Sequence, residues 1–133
     1  MKFRFMKVIC RAALASMALA FLLPNASFAD VKVGFVYLTN PGDHGWTYAH
    51  EVGRQDVIKK FGDKVETTIV ENVPEGPDAT RVIRDLARQG NDIIFTTSFG
   101  YMDPTLKVAK EFPDIKFDHI TGYKRAPNMA TGN

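Results

Sequence analysis

Thiol chemistry is almost missing from this 133-residue chain: its one cysteine, Cys10, lies near the amino terminus. The remainder can therefore form neither a disulfide framework nor a cysteine-based metal or nucleophilic site. The glycine patterns that cradle phosphates are missing as well. "TNPGDHG" has glycines, but neither the GxGxxG nor the P-loop spacing occurs, which argues against a dinucleotide or nucleoside-triphosphate site. No serine sits in a GxSxG elbow. His44, His50 and His119 are scattered. The first two are six apart, wrong for one helix face, and a metal site needs at least three convergent ligands. They read as surface or capping histidines. Nothing assembles a nucleophile, a base and an oxyanion hole, so the expectation is a non-enzyme with no metal and no cofactor.

The first 29 residues have the organisation of a cleavable signal peptide. Lys2, Arg4, Lys7 and Arg11 form a basic start, an apolar run follows from Ala12 to Leu23, Pro24 breaks it, and Ser27-Phe28-Ala29 offers small residues for cleavage. The run is shorter than the roughly 20 residues of a permanent membrane span. Cys10 precedes the apolar run, which misplaces it for lipid attachment, and an exported protein otherwise without cysteine suits a bacterial periplasm. Four of the 17 Lys and Arg residues lie in this leader and none of the 15 acids, so residues 30–133 carry 17 − 4 = 13 cations against 15 anions. No basic tract remains to bind nucleic acid or lipid.

Residues 30–133 alternate in pattern and read as one domain. "VKVGFVYL" (31–38), "KVETTIVENV" (64–73), "NDIIFTTS" (91–98) and "DIKFDHIT" (114–121) are apolar, β-branched runs that predict buried strands. Between them lie predicted helices over 45–62, within 74–90 and over 103–113. In the first, Trp46, Ala49, Gly53 and Val57 recur at helical spacing, and close packing on a sheet is a reason for Gly53. The second buries Val82, Ile83, Leu86 and Ala87 and turns Arg81, Arg84, Asp85 and Arg88 to solvent. The third has Asp103 as N-cap and Pro104 at its first position. The tail from Gly122 reads as turn-like. Strands alternating with helices predict an α/β fold, a parallel doubly wound sheet, here with four strands. Such a domain ordinarily continues, which suggests the amino-terminal part of something longer.

Ligands of open parallel sheets bind beyond the carboxyl ends of the strands. The loops there are 38–45, 72–78 and 98–103, and the first and third carry Asp43, Trp46, Phe99, Tyr101 and Asp103. Trp46, the single tryptophan, fits equally a ring that stacks with Phe99 on a flat ligand and the first core residue of its helix. Asp43 fits either an acceptor for ligand hydroxyl or amine groups or a cap for the helix that follows.

The segments "GDHGWTYAHE" and "TTSFGYMDPTLKVAKEFPDIKF" resemble the basic membrane protein family, purine-nucleoside-receptor-like substrate-binding proteins of ABC transporters, and the likeness extends over 30–133. In that family the first loop reads as an acid followed by Ser-Phe-Asn; Asp43, Gly45, Trp46 and Thr47 fall on those positions. Ser98, Phe99 and Gly100 match its glycine-aromatic turn. The resemblance implies a type I periplasmic-binding-protein-like fold of two lobes, of which this chain is the amino-terminal one, truncated before the second. It implies a purine nucleoside or nucleobase ligand held by Asp43, Trp46, Thr47, Ser98, Phe99 and Gly100, with an inner-membrane ABC permease as partner. Thr47 stands where the family has an amide, and the family's lipid-bearing cysteine is missing. Two other readings stand beside it: the ligand-sensing domain of an extracytoplasmic signalling receptor, and an exported enzyme with a Rossmann-like domain, against which the missing phosphate loop argues.

Overall fold

The computed structural model describes residues 29–132, so the leader reading lies outside it apart from Ala29. Five strands, β1 (Val31–Val36), β2 (Val65–Val70), β3 (Ile93–Thr96), β4 (Lys116–Ile120) and β5 (Met129–Gly132), form one sheet in the order β2-β1-β3-β4-β5. Every neighbouring pair is parallel. Three helices, α1 (Trp46–Phe61), α2 (Pro77–Arg88) and α3 (Met102–Glu111), make the first crossovers. The predicted α/β alternation is therefore present.

Alternation along β1 divides the core. Val36 joins Ile83, Leu86, Ile94, Val108 and Phe117 in a cluster beneath α2 and α3, whereas Val33, Phe35 and Tyr37 pack on the opposite face with Ile69 and Phe95. On that second face the Phe35 and Phe95 rings stack with centroids 5.1 Å apart.

The structure corrects the sequence reading in several places. The sheet has five strands, not four, because the tail folds back: β5 pairs with β4 from Phe117↔Met129 to Ile120↔Gly132. "MATG" has no strand-like pattern of its own. Its ordering comes from Asn128, whose Nδ2 lies 2.9 Å from each of the carbonyl oxygens of Ala109, Phe112 and Ile115 around the end of α3. Second, α3 begins at Met102 without a side-chain cap, and Asp103 instead accepts from Lys124 Nζ at 2.5 Å. Third, His119 is fully buried and not a surface or capping residue. Fourth, a Cβ at Gly53 would meet nothing within 4 Å, so close packing does not explain that glycine.

The stripe that α1 turns to the sheet is rotated from the apolar one expected. Its buried residue is Thr47, and its anchor is polar. Arg54 grips Glu51 through two hydrogen bonds of 2.8 and 2.6 Å and donates to Thr67 Oγ1 at 2.6 Å, while Tyr37 donates to Glu51 at 3.2 Å. Helix, β1 and β2 are thereby tied by a charge-assisted network with bidentate geometry. Burial and the Glu51 charge push the Tyr37 phenol up, keeping it a donor.

Candidate functional site

The carboxyl ends of β1, β2 and β3 lie side by side, which gathers the loops that follow them. The loop after β1 is fixed to the one after β2: the Asn40 amide donates to Asn72 Oδ1 at 3.1 Å, and Asn40 Nδ2 to Glu71 at 2.9 Å. At the end of this loop Gly45 takes φ 93°, a conformation that L side chains rarely adopt. That requirement fits glycine at the position where the resembling family has serine. Gly45 starts α1 without a side-chain cap, so Asp43 does not cap the helix. Its carboxylate lies 2.5 Å from His44 Nδ1, and both side chains are more than nine-tenths exposed (92% and 91%).

Trp46 begins α1 at this edge. It is 52% exposed and so is not a buried core residue of its helix. Its Nε1–H donates to the Thr97 carbonyl at 2.6 Å, across the gap between the loops after β1 and β3. The indole is thus fixed in place, and its ring meets His50 edge-on with centroids 4.7 Å apart. Burial holds His50 below the usual imidazole value, so the ring beside Trp46 favours the neutral form.

Phe99, in the 3₁₀ turn Phe99–Tyr101, is 58% exposed and neighbours Tyr123, 71% exposed, with centroids 6.5 Å apart. Trp46 and Phe99 share the edge, but each ring's described aromatic neighbour is a different one, His50 and Tyr123. A flat ligand would have to bring them together.

The other expected contacts are engaged in the protein's own scaffold. Thr47 is 5% exposed and its hydroxyl pairs with that of Thr39 at 2.8 Å. Ser98 donates to Glu75 Oε1 at 2.5 Å, and the Gly100 amide donates to the same oxygen at 3.0 Å. His119 Nε2 donates to the Ser98 carbonyl at 2.8 Å. A Cβ at Gly100 would overlap the Glu75 carboxylate, so glycine there admits the acid. Burial, and then the charge of Glu75, push the Tyr101 phenol up, and its hydroxyl donates to the Val73 carbonyl at 2.6 Å.

Two residues of this edge went unnoticed in the sequence. Tyr123 follows β4, in a tail read as mere turn. Glu75 sits in "PEGPD", where an acid among turn residues carries no signal of what it faces. Among the described residues no cluster of three or more His, Cys, Asp or Glu could hold a metal ion, and no helix is long and apolar enough to cross a membrane.

The arrangement offers exposed rings backed by hydrogen-bonded loops at the carboxyl edge of a parallel sheet, where ligands of such sheets bind. Several known proteins are similar to this chain. The chain is 59% identical over 115 residues to a purine-binding protein of Brucella abortus (strain 2308), covering 85% of this chain and 33% of that one. It is 41% identical over 99 residues to a Haloferax volcanii protein named as a glucose-binding protein of an ABC transporter, covering 74% and 25%. The chain thus spans a third or less of the length of these relatives. Among solved structures, an ABC transporter solute-binding protein from Conexibacter woesei superposes with TM-score 0.64 at 24% identity, over 76% of this chain and 34% of that one. Another from Aeropyrum pernix K1 gives TM-score 0.65 at 22% identity, over 76% and 28%. These likenesses show the fold, a lobe of the periplasmic-binding-protein type. Residues 30–132 match the family described as ABC transporter substrate-binding protein PnrA-like, and the chain belongs to that family.

Proposed function

We propose that residues 30–133 are the amino-terminal lobe of an exported purine receptor that delivers its ligand to an inner-membrane ABC permease from the periplasm, with the leader 1–29 removed. The ligand would be a nucleoside or nucleobase lying against Trp46 and Phe99, with Asp43 as a polar contact and Thr47, Ser98 and Gly100 shaping the loops behind them. The observation that carries this reading is the half-exposed indole of Trp46, held at the carboxyl edge of the sheet by its bond to Thr97. A core tryptophan would be buried. Stacking on such a ring contributes about 1–3 kcal/mol per base in nucleic-acid proteins, without demanding one base. The Brucella abortus relative's name favours a purine, and the Haloferax volcanii name makes glucose the natural competitor.

Pockets that bind tightly bury most of the ligand, and one lobe supplies one wall. The isolated lobe is therefore expected to bind purines weakly, and a receptor with both lobes tightly. The test is calorimetric titration of the two-lobed receptor and of residues 30–133 with adenine, adenosine, guanosine and glucose. Purine binding to the receptor that is lost in Trp46→Ala, with the fold intact, supports the reading. Purine silence, glucose binding, or affinity indifferent to Trp46 overturns it.

A further inference from the structure

Phe99 stands between two residues whose polar groups are held by a single carboxylate. Glu75 Oε1 accepts from Ser98 Oγ on one side of Phe99 and from the Gly100 amide on the other. The space for the carboxylate exists because position 100 has no Cβ. The flanks of this turn are anchored elsewhere. Thr97 donates from its hydroxyl to the Val36 carbonyl at 3.0 Å, Trp46 holds the Thr97 carbonyl, and His119 holds that of Ser98. At the other end, Tyr101 is fully buried and bonded to Val73. Between these anchors lies Phe99-Gly100, where the described side-chain hydrogen bond is the one that Glu75 accepts from the Gly100 amide.

From this geometry we propose that Glu75, in the loop after β2, is the positioning residue that holds the Phe99 ring at the ligand edge, so that the second loop acts in binding through the third. Glu75 need not touch the ligand. It orders a ring that is 58% exposed, whose described aromatic neighbour is the still more exposed Tyr123. Pre-ordering the ring lowers the conformational cost that a ligand would otherwise meet when it settles against Phe99. The inference rests on the reading of Trp46 and Phe99 as the ligand edge, and concerns only how Phe99 is presented there.

The experiment uses the two-lobed receptor, with nuclear magnetic resonance to read the Gly100 amide, the Phe99 ring and the Trp46 Nε1–H, first alone and then with adenine. In Glu75→Ala the loss of a charged acceptor should speed Gly100 amide exchange about tenfold. The Phe99 ring signals should move toward those of a freely rotating ring, and adenine-induced shifts at Phe99 should shrink while those at Trp46 persist. Glu75→Gln retains a carbonyl acceptor and should restore all three. Should Glu75→Ala not fold, Ser98→Ala removes one of the two bonds and should loosen the Phe99 ring alone. Phe99 and Gly100 signals unchanged in the folded variant overturn the proposal. If adenine shifts neither Trp46 nor Phe99 in the unsubstituted receptor, the ligand reading falls, and the ligand-free signals of Gly100 and Phe99 still decide the role of Glu75.

Discussion

Trp46 and Thr97 are 51 residues apart in the chain, yet the indole Nε1–H of one donates to the carbonyl of the other at 2.6 Å. The bond joins the first turn of α1 to the end of β3. Thr97 is 1% exposed, so water has little access to replace the donor. Trp46→Phe keeps a ring at the edge but leaves a carbonyl unpaired. It should lower stability by about 1–2 kcal/mol in urea denaturation. A variant as stable as the parent would mean that the bond contributes nothing net.

Thr47 answers a different question. The family resemblance makes it a ligand contact, whereas the structure buries it and pairs it with Thr39 at 2.8 Å. Thr47→Val has nearly the same shape and removes the hydroxyl. Its expected effect is a loss of up to about 1 kcal/mol in stability, since exposed Thr39 can turn to water. Ligand affinity in the two-lobed receptor should stay unchanged in calorimetric titration. A large drop in affinity with unchanged stability would return Thr47 to the ligand.

The Glu51–Arg54 pair gives a prediction in pH. The hydrogen bond from Arg54 comes first among the causes that hold the Glu51 carboxyl below its ordinary value of 4.5. The folded-state value therefore lies below the unfolded one. The stabilisation is complete above pH 4.5 and is lost as the pH falls through the depressed value. Glu51→Gln should cost about 1.5–3 kcal/mol at neutral pH, the scale of a hydrogen bond to a charged group. The gap between parent and variant should close on acidification below that point. Urea midpoints measured from neutral pH to pH 3 check this, and a gap that widens toward acid contradicts it.

Asn128 holds the fifth strand. One side-chain amide stands 2.9 Å from the carbonyl oxygens of Ala109, Phe112 and Ile115, in and after the last turn of α3. Asn128→Ala should destabilise the domain by about 1–3 kcal/mol. Hydrogen exchange should rise first in Met129–Gly132, because β5 is an edge strand with a partner on one side. Uniform loosening across the sheet would show instead that β5 is not held separately.

The elements that were readable in the sequence are those whose signal is local. "VKVGFVYL" is apolar except at Lys32 and Gly34 and carries three valines, and Val31–Val36 of it forms a strand of the parallel sheet. The second helix carried its own apolar stripe, and Ile83, Leu86 and Ala87 are buried as that stripe requires. β5 was not readable, since "MATG" becomes a strand only when β4 offers an edge and Asn128 directs the chain to it. Asp103 looked like a cap because the Asp-Pro pair is a common start. The helix began one residue earlier, and Lys124, distant in sequence, took the carboxylate.

The sequence by itself determined the alternation of strands and helices, and with it the edge of the sheet at which Trp46 and Phe99 emerge, because periodicity and strand direction are properties of neighbouring residues. What those side chains face was decided only by the tertiary structure. Trp46 with Thr97, Glu75 with Gly100, and His119 with Ser98 are joined across 51, 25 and 21 residues. A hydrogen bond depends on direction and on a few tenths of an ångström, and loops brought together by a sheet acquire that geometry only once the sheet has formed.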